Sequence, residues 1–441
     1  MELSPVKGKK VVADFDGGQM STDAGALLLK EAEKQVGIIE AIETALDDKR
    51  DQRYVEHPLS ELLQQRTFQI ACGYEDANDS DTLRNDPIFK MCAGKTPESD
   101  DPLSSQPTMS RFENAPSRTE LYRIALAMVD NFMDSYSEEP KIIVLDPDDT
   151  DDPVHGDQQL ALFNGYYDEY CYMPLHIYEG LSGKLISTIL KPGKRLPGKT
   201  ILSILKRLVE RLRKRWKNTL IVFRGDSHFT APEIMEWIDE QENVYFVTGL
   251  TGNAVLKKLA ETTIQSAKNL YEKRQSKVKL FHSFYYQADT WAKPRRVVVK
   301  VEVSGKDPKP NVRFVVTDFE QAKTRVLYED IYCARGKSEL YIKDHKTYLK
   351  SDRTSCHRFE ANQFRLFLHS AAYILIHALR TSVFKGTEWA KATMQTIQLK
   401  ALKIGACVKE LKTRIKIEMP TAFPHQDEMR KAFAIFEVLR C

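Results

Sequence analysis

The run at 141–153, KIIVLDPDDTDDP, constrains this chain more than any other stretch. Four apolar residues, Ile142, Ile143, Val144 and Leu145, lead into five aspartates within seven positions: Asp146, Asp148, Asp149, Asp151 and Asp152. A short apolar run rich in β-branched residues is the pattern of a buried central strand. Ending it in clustered carboxylates is electrostatically unfavourable, because close like charges repel until a cation or a raised pKa relieves them. A solvated acidic turn at a strand end carries the same pattern. The question is whether the rest of the chain supplies partners for these aspartates.

At 441 residues the chain exceeds one ordinary core, which predicts two to three domains. Its 42% hydrophobic and 29% charged content fits a soluble globular protein. No uninterrupted apolar stretch approaches the ~18 residues of a membrane span, and the opening MELSPVKGKK lacks the apolar segment of a secretory signal. The expectation is a cytoplasmic protein with no membrane partner. Seven cysteines are dispersed without a C-x-x-C pair, which supports neither a zinc site nor a disulfide framework.

The net charge of +3 does not by itself suggest nucleic acid, but its distribution does. Between 191 and 217 stand eleven cations, Lys199, Arg207, Arg211 and Arg215 among them, against one acid, Glu210. A basic surface beside a carboxylate cluster suits a metal-dependent enzyme acting on a polyanion. A solvated basic helix is the plain alternative.

Taken in order, residues 1–138 read as mostly helical, a DNA-binding or dimerisation region with one short strand near 11–15. At 104–112 a helix start carries Gln106, Thr108, Ser110 and Arg111. With the amphipathic helix at 117–133 it makes a helix-turn-helix-like unit or a plain capping loop. Residues 139–348 read as the catalytic domain. After the acidic run come strands at 171–178 and 184–190 joined by a turn at 180–183, then the basic helix 199–216. A strand at 219–223, a helix at 231–240 and a strand at 243–248 follow. Three closely connected strands, then helix-linked ones, predict an α/β fold on a mixed five-stranded sheet. Residues 249–327 break the alternation as a β-rich insertion, with strands at 280–286, 295–303 and 312–317. A charged helix begins near Tyr328 and runs to 348. Residues 349–441 read as a helical C-terminal region, with helices at 364–379 and 393–417.

Asp226 follows a strand, as Asp146 and Asp148 do. Alternation puts Asp146 and Asp148 on one strand face and Asp149 on the other. If the two strands are neighbours, carboxylates meet at one sheet edge. Two aspartates and a third acid from a helix can hold two Mg²⁺ ions about 3.5–4 Å apart for in-line attack on a phosphodiester. From Tyr332 the chain reads Y-x2-R-x3-E-x6-K, placing Tyr332, Arg335, Glu339 and Lys346 on one helix side. Such a face offers a carboxylate for metal, cations for phosphates and an aromatic for a base or sugar. An ordinary charged helix with ion pairs is the alternative. His228 lies close to Asp226, and a surface or core histidine is its simpler role.

Together with Asp148-Asp149-Thr150 as a D-x-T and the strand-end Asp226, this signature resembles the cut-and-paste DDE transposases of bacterial insertion sequences. The wording LDPDDTDDPVHG, LFNGYYDEY, RGDSHF and YCARGKSELYIKDHK is similar to their piggyBac-related branch, over about residues 8–380. The resemblance implies an RNase H-like catalytic core with a β-rich insertion before the last catalytic helix. It implies a metal-binding catalytic triad of Asp148, Asp226 and Glu339, with Asp146 the rival for Asp148. Tyr332, Arg335 and Lys346 would bind the transposon end, and the basic helix would carry DNA backbone. The implied reaction is Mg²⁺-dependent nicking at terminal inverted repeats and strand transfer, with Mn²⁺ as a substitute ion. A homodimer would act on DNA at the bacterial nucleoid. Two other readings stand beside it: an inactive DNA-binding protein derived from a transposase, and an RNase H-like nuclease without strand transfer.

Overall fold

The apolar run becomes a central strand, Ile142–Asp149 (β1), with Ile143 and Leu145 fully buried. Around it the computed structural model, which describes residues 1–305 and 309–438, builds one eight-stranded sheet. The other strands are Leu175–Glu179 (β2), Leu185–Ile189 (β3), Leu220–Gly225 (β4), Val244–Leu250 (β5), Val278–Tyr286 (β6), Arg295–Val303 (β7) and Asn311–Thr317 (β8). Their order is β6-β7-β8-β5-β4-β1-β2-β3. Strands β1, β4 and β5 pair in parallel and every other pairing is antiparallel. Helix Gly198–Arg213 (α1) leads from β3 to β4, and helix Pro232–Asp239 (α2) joins β4 to its parallel neighbour β5, a connection that needs a crossover.

Three sequence expectations are corrected. The strand expected at 171–178 is two, Glu169–Tyr172 and Leu175–Glu179, split at Met173-Pro174. Proline cannot donate to a ladder, so the chain changes sheet there. The strands of the expected insertion do not form a separate sheet: β8 pairs with β5, from Thr317 opposite Val247 to Phe314 opposite Leu250. Left open, that apolar edge would template association with another chain. The helix expected at 393–417 ends by Leu402, and Ala406–Leu411 pairs with Arg414–Glu418 as a hairpin. Alternation in RIKIE fits a strand of period two better than a helical turn.

The sheet lies in a unit formed by 132–156 and 160–343; a second unit comprises 1–131, 157–159 and 344–441. In the second, Phe359–Ala378 packs against Leu59–Ala71. Arg66 and Arg365 both donate to the buried Glu113, at 2.7 and 2.8 Å. The segment Phe359–Val383 is long and apolar enough to cross a membrane, but 78% of its apolar window is buried in the protein. Gln106–Glu113 and Arg118–Asp134 are successive helices, as expected of the 104–133 stretch.

Candidate active site

Because β1 and β4 are parallel neighbours, both chains leave the sheet at one edge. The register sets Leu220 against Ile142 and Phe223 against Leu145. Beyond it, Arg224 meets Asp146, and Asp226 comes within electrostatic reach of Asp148. The first of these pairs closes as a buried fork. Arg224 Nε donates to Asp146 Oδ1 at 2.6 Å and Nη2 to Oδ2 at 2.5 Å, while Nη1 donates to the Ile331 carbonyl at 2.6 Å. Asp146 is thereby occupied by the fold.

Asp148, two residues nearer the edge, has a different environment. Its Oδ2 accepts from Arg335 Nη1 at 2.9 Å and from Ser338 Oγ at 3.4 Å, and Oδ1 accepts the Asp149 N–H at 3.1 Å. Burial pushes its carboxyl up to about 6; Arg335 pulls the other way, and the charges of Asp226 and Asp149 push further up. Carboxylates within electrostatic reach of each other are the donor type that a hard divalent cation takes. Asp226 caps the turn Ser227–Phe229, its Oδ1 accepting the His228 N–H at 2.8 Å.

The segment carrying the Y-R-E-K signature is not the uniform helix expected. It runs from an α-turn at Thr324–Val326 through a π turn at Leu327–Tyr332, a 3-10 turn at Cys333–Arg335 and α-helix at Gly336–Lys343 to a π turn at Asp344–Tyr348. Tyr332 and Arg335 sit at its joints, Glu339 lies within the α-helix and Lys346 within the last π turn, so α-helical spacing alone does not put all four on one face. Such interruptions inside a helix recur at functional sites. Tyr332 rides on the core of Val247, Val298, Val315, Leu327 and Tyr328. Its hydroxyl lies against Gly249: a Cβ there would stand 2.6 Å from it and 3.0 Å from the Ser227 nitrogen. Beside it opens a cleft of about 460 Å³ lined by Asp226, Gly249, Lys300, Arg313, Tyr328 and Tyr332, among others.

Asp148 and Asp226 are thus brought together, with Arg335 on the first. Glu339 is exposed on the Gly336–Lys343 helix, within electrostatic reach of Arg335. Among the described residues no three His, Cys, Asp or Glu side chains form a group that could hold a metal ion. Lys346 is half-buried and falls in the other unit.

On α1, Ile201, Leu205, Leu208, Val209 and Leu212 are buried. Lys199 and Arg207 are exposed, Arg211 is half-buried, and the exposed Arg215, just past the helix, pairs with Asp134 at 2.7 Å. Not every cation of the basic run faces outward. Arg213 donates to the Thr219 and Trp216 carbonyls at 2.7 and 3.1 Å, and the buried Lys191 pairs with Asp149 at 2.5 Å. Lys300, Arg313 and Ser338 were not singled out in the sequence as neighbours of the site, and Lys191 stood only as one cation of the basic run. Asp149, named in the acidic run beside Asp148, and Ser338, one residue before Glu339, carried a positional signal.

The fold is similar to that of a piggyBac transposase in a cryo-EM synaptic complex with hairpin DNA. The TM-score is 0.46 and the identity 11%, over 87% of this chain and 80% of that one. No curated protein matches the chain significantly. A family model described as "Transposase DDE domain group 1" matches residues 3–441. With nearly its whole length inside that match, the chain belongs to this family of DDE transposases.

Proposed function

We propose that this protein catalyses cut-and-paste transposition of an insertion sequence, nicking DNA at terminal inverted repeats and transferring the freed strand. What supports the proposal is the placement of Asp148 and Asp226, within electrostatic reach of each other, at the same end of adjacent parallel strands, with Arg335 bonded to the first. The order β3-β2-β1-β4-β5, three antiparallel strands followed by two parallel ones, supports an RNase H-like core.

Asp148 and Asp226 would hold Mg²⁺ or Mn²⁺, with Glu339 completing the set from its helix. When bound, such ions activate the attacking oxygen and neutralise charge on the leaving one. The chain's own groups do the rest. Arg335, already on Asp148, offers a guanidinium fork to a phosphate of the strand end. Tyr332 presents its ring and hydroxyl in the cleft, where Lys300 and Arg313 add cations for a phosphate. Lys199, Arg207, Arg211 and Arg215 would carry duplex backbone, and Lys346 the transposon end. Two copies acting together would hold both ends.

The test is nicking and joining of a duplex carrying the flanking inverted repeat, in Mg²⁺, read on a gel. The expected outcome is nicked and joined product from the wild type, and at least about a hundredfold less from Asp226→Asn or Glu339→Gln. Undiminished activity in either variant would reject the assignment. Nicking without joined product would favour a simple nuclease.

A further inference from the structure

Directly after β1 the chain makes a small three-stranded finger, Asp152–Pro153, Leu162–Asn164 and Glu169–Tyr172. It exposes four large aromatics: Phe163 at 48%, Tyr166 at 87%, Tyr167 at 36% and Tyr170 at 60%. Phe163 and Tyr170 meet edge to face at 5.6 Å, and Tyr166 meets Tyr167 at 4.9 Å. Asn164 fixes the tip: its Oδ1 accepts the Tyr166 N–H, and its Nδ2 donates to the Gly193 carbonyl, each at 2.9 Å. Gly193 lies so close that a Cβ would come within 2.3 Å of the Cys171 carbonyl oxygen and 2.4 Å of that of Leu162. The loop of Lys191 to Arg195 is therefore flush against the finger.

That loop also ties to the paired aspartates. Lys191 bonds Asp149 Oδ1 at 2.5 Å, and Asp149 Oδ2 lies 3.7 Å from His228 Nδ1. The exposed Arg195 donates its Nε to the same His228 Nδ1. The backbone N–H groups of Asp149 and His228 donate to Asp148 and Asp226. Arg195 is thus anchored through His228 beside the site, with its terminal nitrogens left for a ligand.

The finger contains no Lys or Arg between 152 and 172 but does carry Asp168 and Glu169. It does not suit duplex backbone. What it offers is ring faces, and an intact duplex presents base faces only at its ends. Ring platforms beside a fixed guanidinium are the chemistry of unpaired nucleic acid.

We propose that this surface receives unpaired nucleotides of the DNA strand flanking the bond cut at Asp148 and Asp226. Bases stack on Phe163, Tyr166 and Tyr170, and a phosphate bonds Arg195. This rests on the transposase assignment above and adds a single-strand subsite to it. The finger stabilises local opening of the end, and His228 positions Arg195 by accepting its Nε–H.

The experiment compares the full chain in Mg²⁺ on two duplexes carrying the inverted repeat. One is fully paired; the other has mismatched nucleotides, including 2-aminopurine, beside the scissile bond. Tyr166→Ala and Phe163→Ala/Tyr170→Ala are expected to cleave the paired duplex about ten- to a hundredfold more slowly. They should cut the mismatched duplex near the wild-type rate and lose the 2-aminopurine quenching. Arg195→Ala should weaken binding of the mismatched duplex about tenfold. His228→Gln, which keeps an acceptor for Arg195, should restore what His228→Ala loses. Equal slowing on both duplexes, or quenching as in the wild type, would overturn the proposal. So would a smaller oligomer with quenching intact, which would make the finger a self-association surface. Wild type cutting neither duplex would remove the transposase assignment and this proposal together. Wild-type cutting with unaltered variants would remove this proposal alone.

Discussion

Asp146 and Asp148 share one strand, yet their surroundings differ. Asp146 is locked into a buried bidentate pair with Arg224, whereas Asp148 bonds Arg335 within electrostatic reach of Asp226, its carboxyl pushed up to about 6. Removing one member of a buried pair leaves the other charge uncompensated. Asp146→Ala is therefore expected to lower unfolding free energy by about 3–5 kcal/mol in denaturant melts. Asp148→Asn should melt near the wild type and fail to cleave. Melts in the reverse order would return Asp146 to the catalytic position. Gly249 makes a second prediction at this scale. Gly249→Ala drives a methyl group into the Tyr332 hydroxyl and the Ser227 nitrogen. Displacement near the reacting groups should lower cleavage by up to about a hundredfold with little change in the melt; wild-type rates would show that Tyr332 needs no fixed position. Strand ends and spacing in the sequence singled out Asp148, Asp226, Tyr332 and Arg335 as candidates. They could not separate Asp146 from Asp148, because strand alternation treats them alike and only the pairing partner distinguishes them.

Elements were legible where period and length agreed. The apolar run at 142–145, the helix α1 with its buried stripe and the strands at 278–317 all formed within a few residues of expectation. Their assembly was less legible. Nothing in the local pattern of β8 says that it pairs with β5, since pairing is set by a partner distant in sequence. The signature segment read as one regular helix because π and 3-10 turns leave little trace in hydrophobic spacing. The loop after β8 carries a pH-dependent contribution. Asp318 accepts the Phe246 N–H at 2.9 Å, and burial pushes its carboxyl up to about 7. An unfolded aspartate titrates near ~4, so between these values the folded state binds the extra proton. Stability is then greatest below the lower value and falls as pH rises through the window, by at most about 1.4 kcal/mol per pH unit. Denaturant midpoints of Asp318→Asn should show a flatter profile from acid to neutral pH; an identical slope would assign the dependence to other groups.

At the scale of the molecule, the N- and C-terminal segments belong to one unit, in which Phe359–Ala378 packs on Leu59–Ala71 and Arg365 completes the pair of Arg66 with Glu113. A net charge of +3 hides the exposed cations of α1 among balancing acids. Replacing Lys199 and Arg207 together by glutamine should reduce the slope of log affinity against log salt by roughly two for duplex DNA. An unchanged slope would place the backbone contacts elsewhere. Whether Asp148, Asp226 and Glu339 serve one divalent-ion site is tested most directly by cleavage of the polypeptide itself. Ferrous ion put in place of Mg²⁺ and treated with peroxide generates hydroxyl radicals that cut the polypeptide beside its ligands. Fragments ending near 148, 226 and 339, suppressed by excess Mg²⁺ and lost in Asp226→Asn, are the predicted result. Cutting confined to other positions, or cutting at these that Mg²⁺ does not suppress, would contradict it.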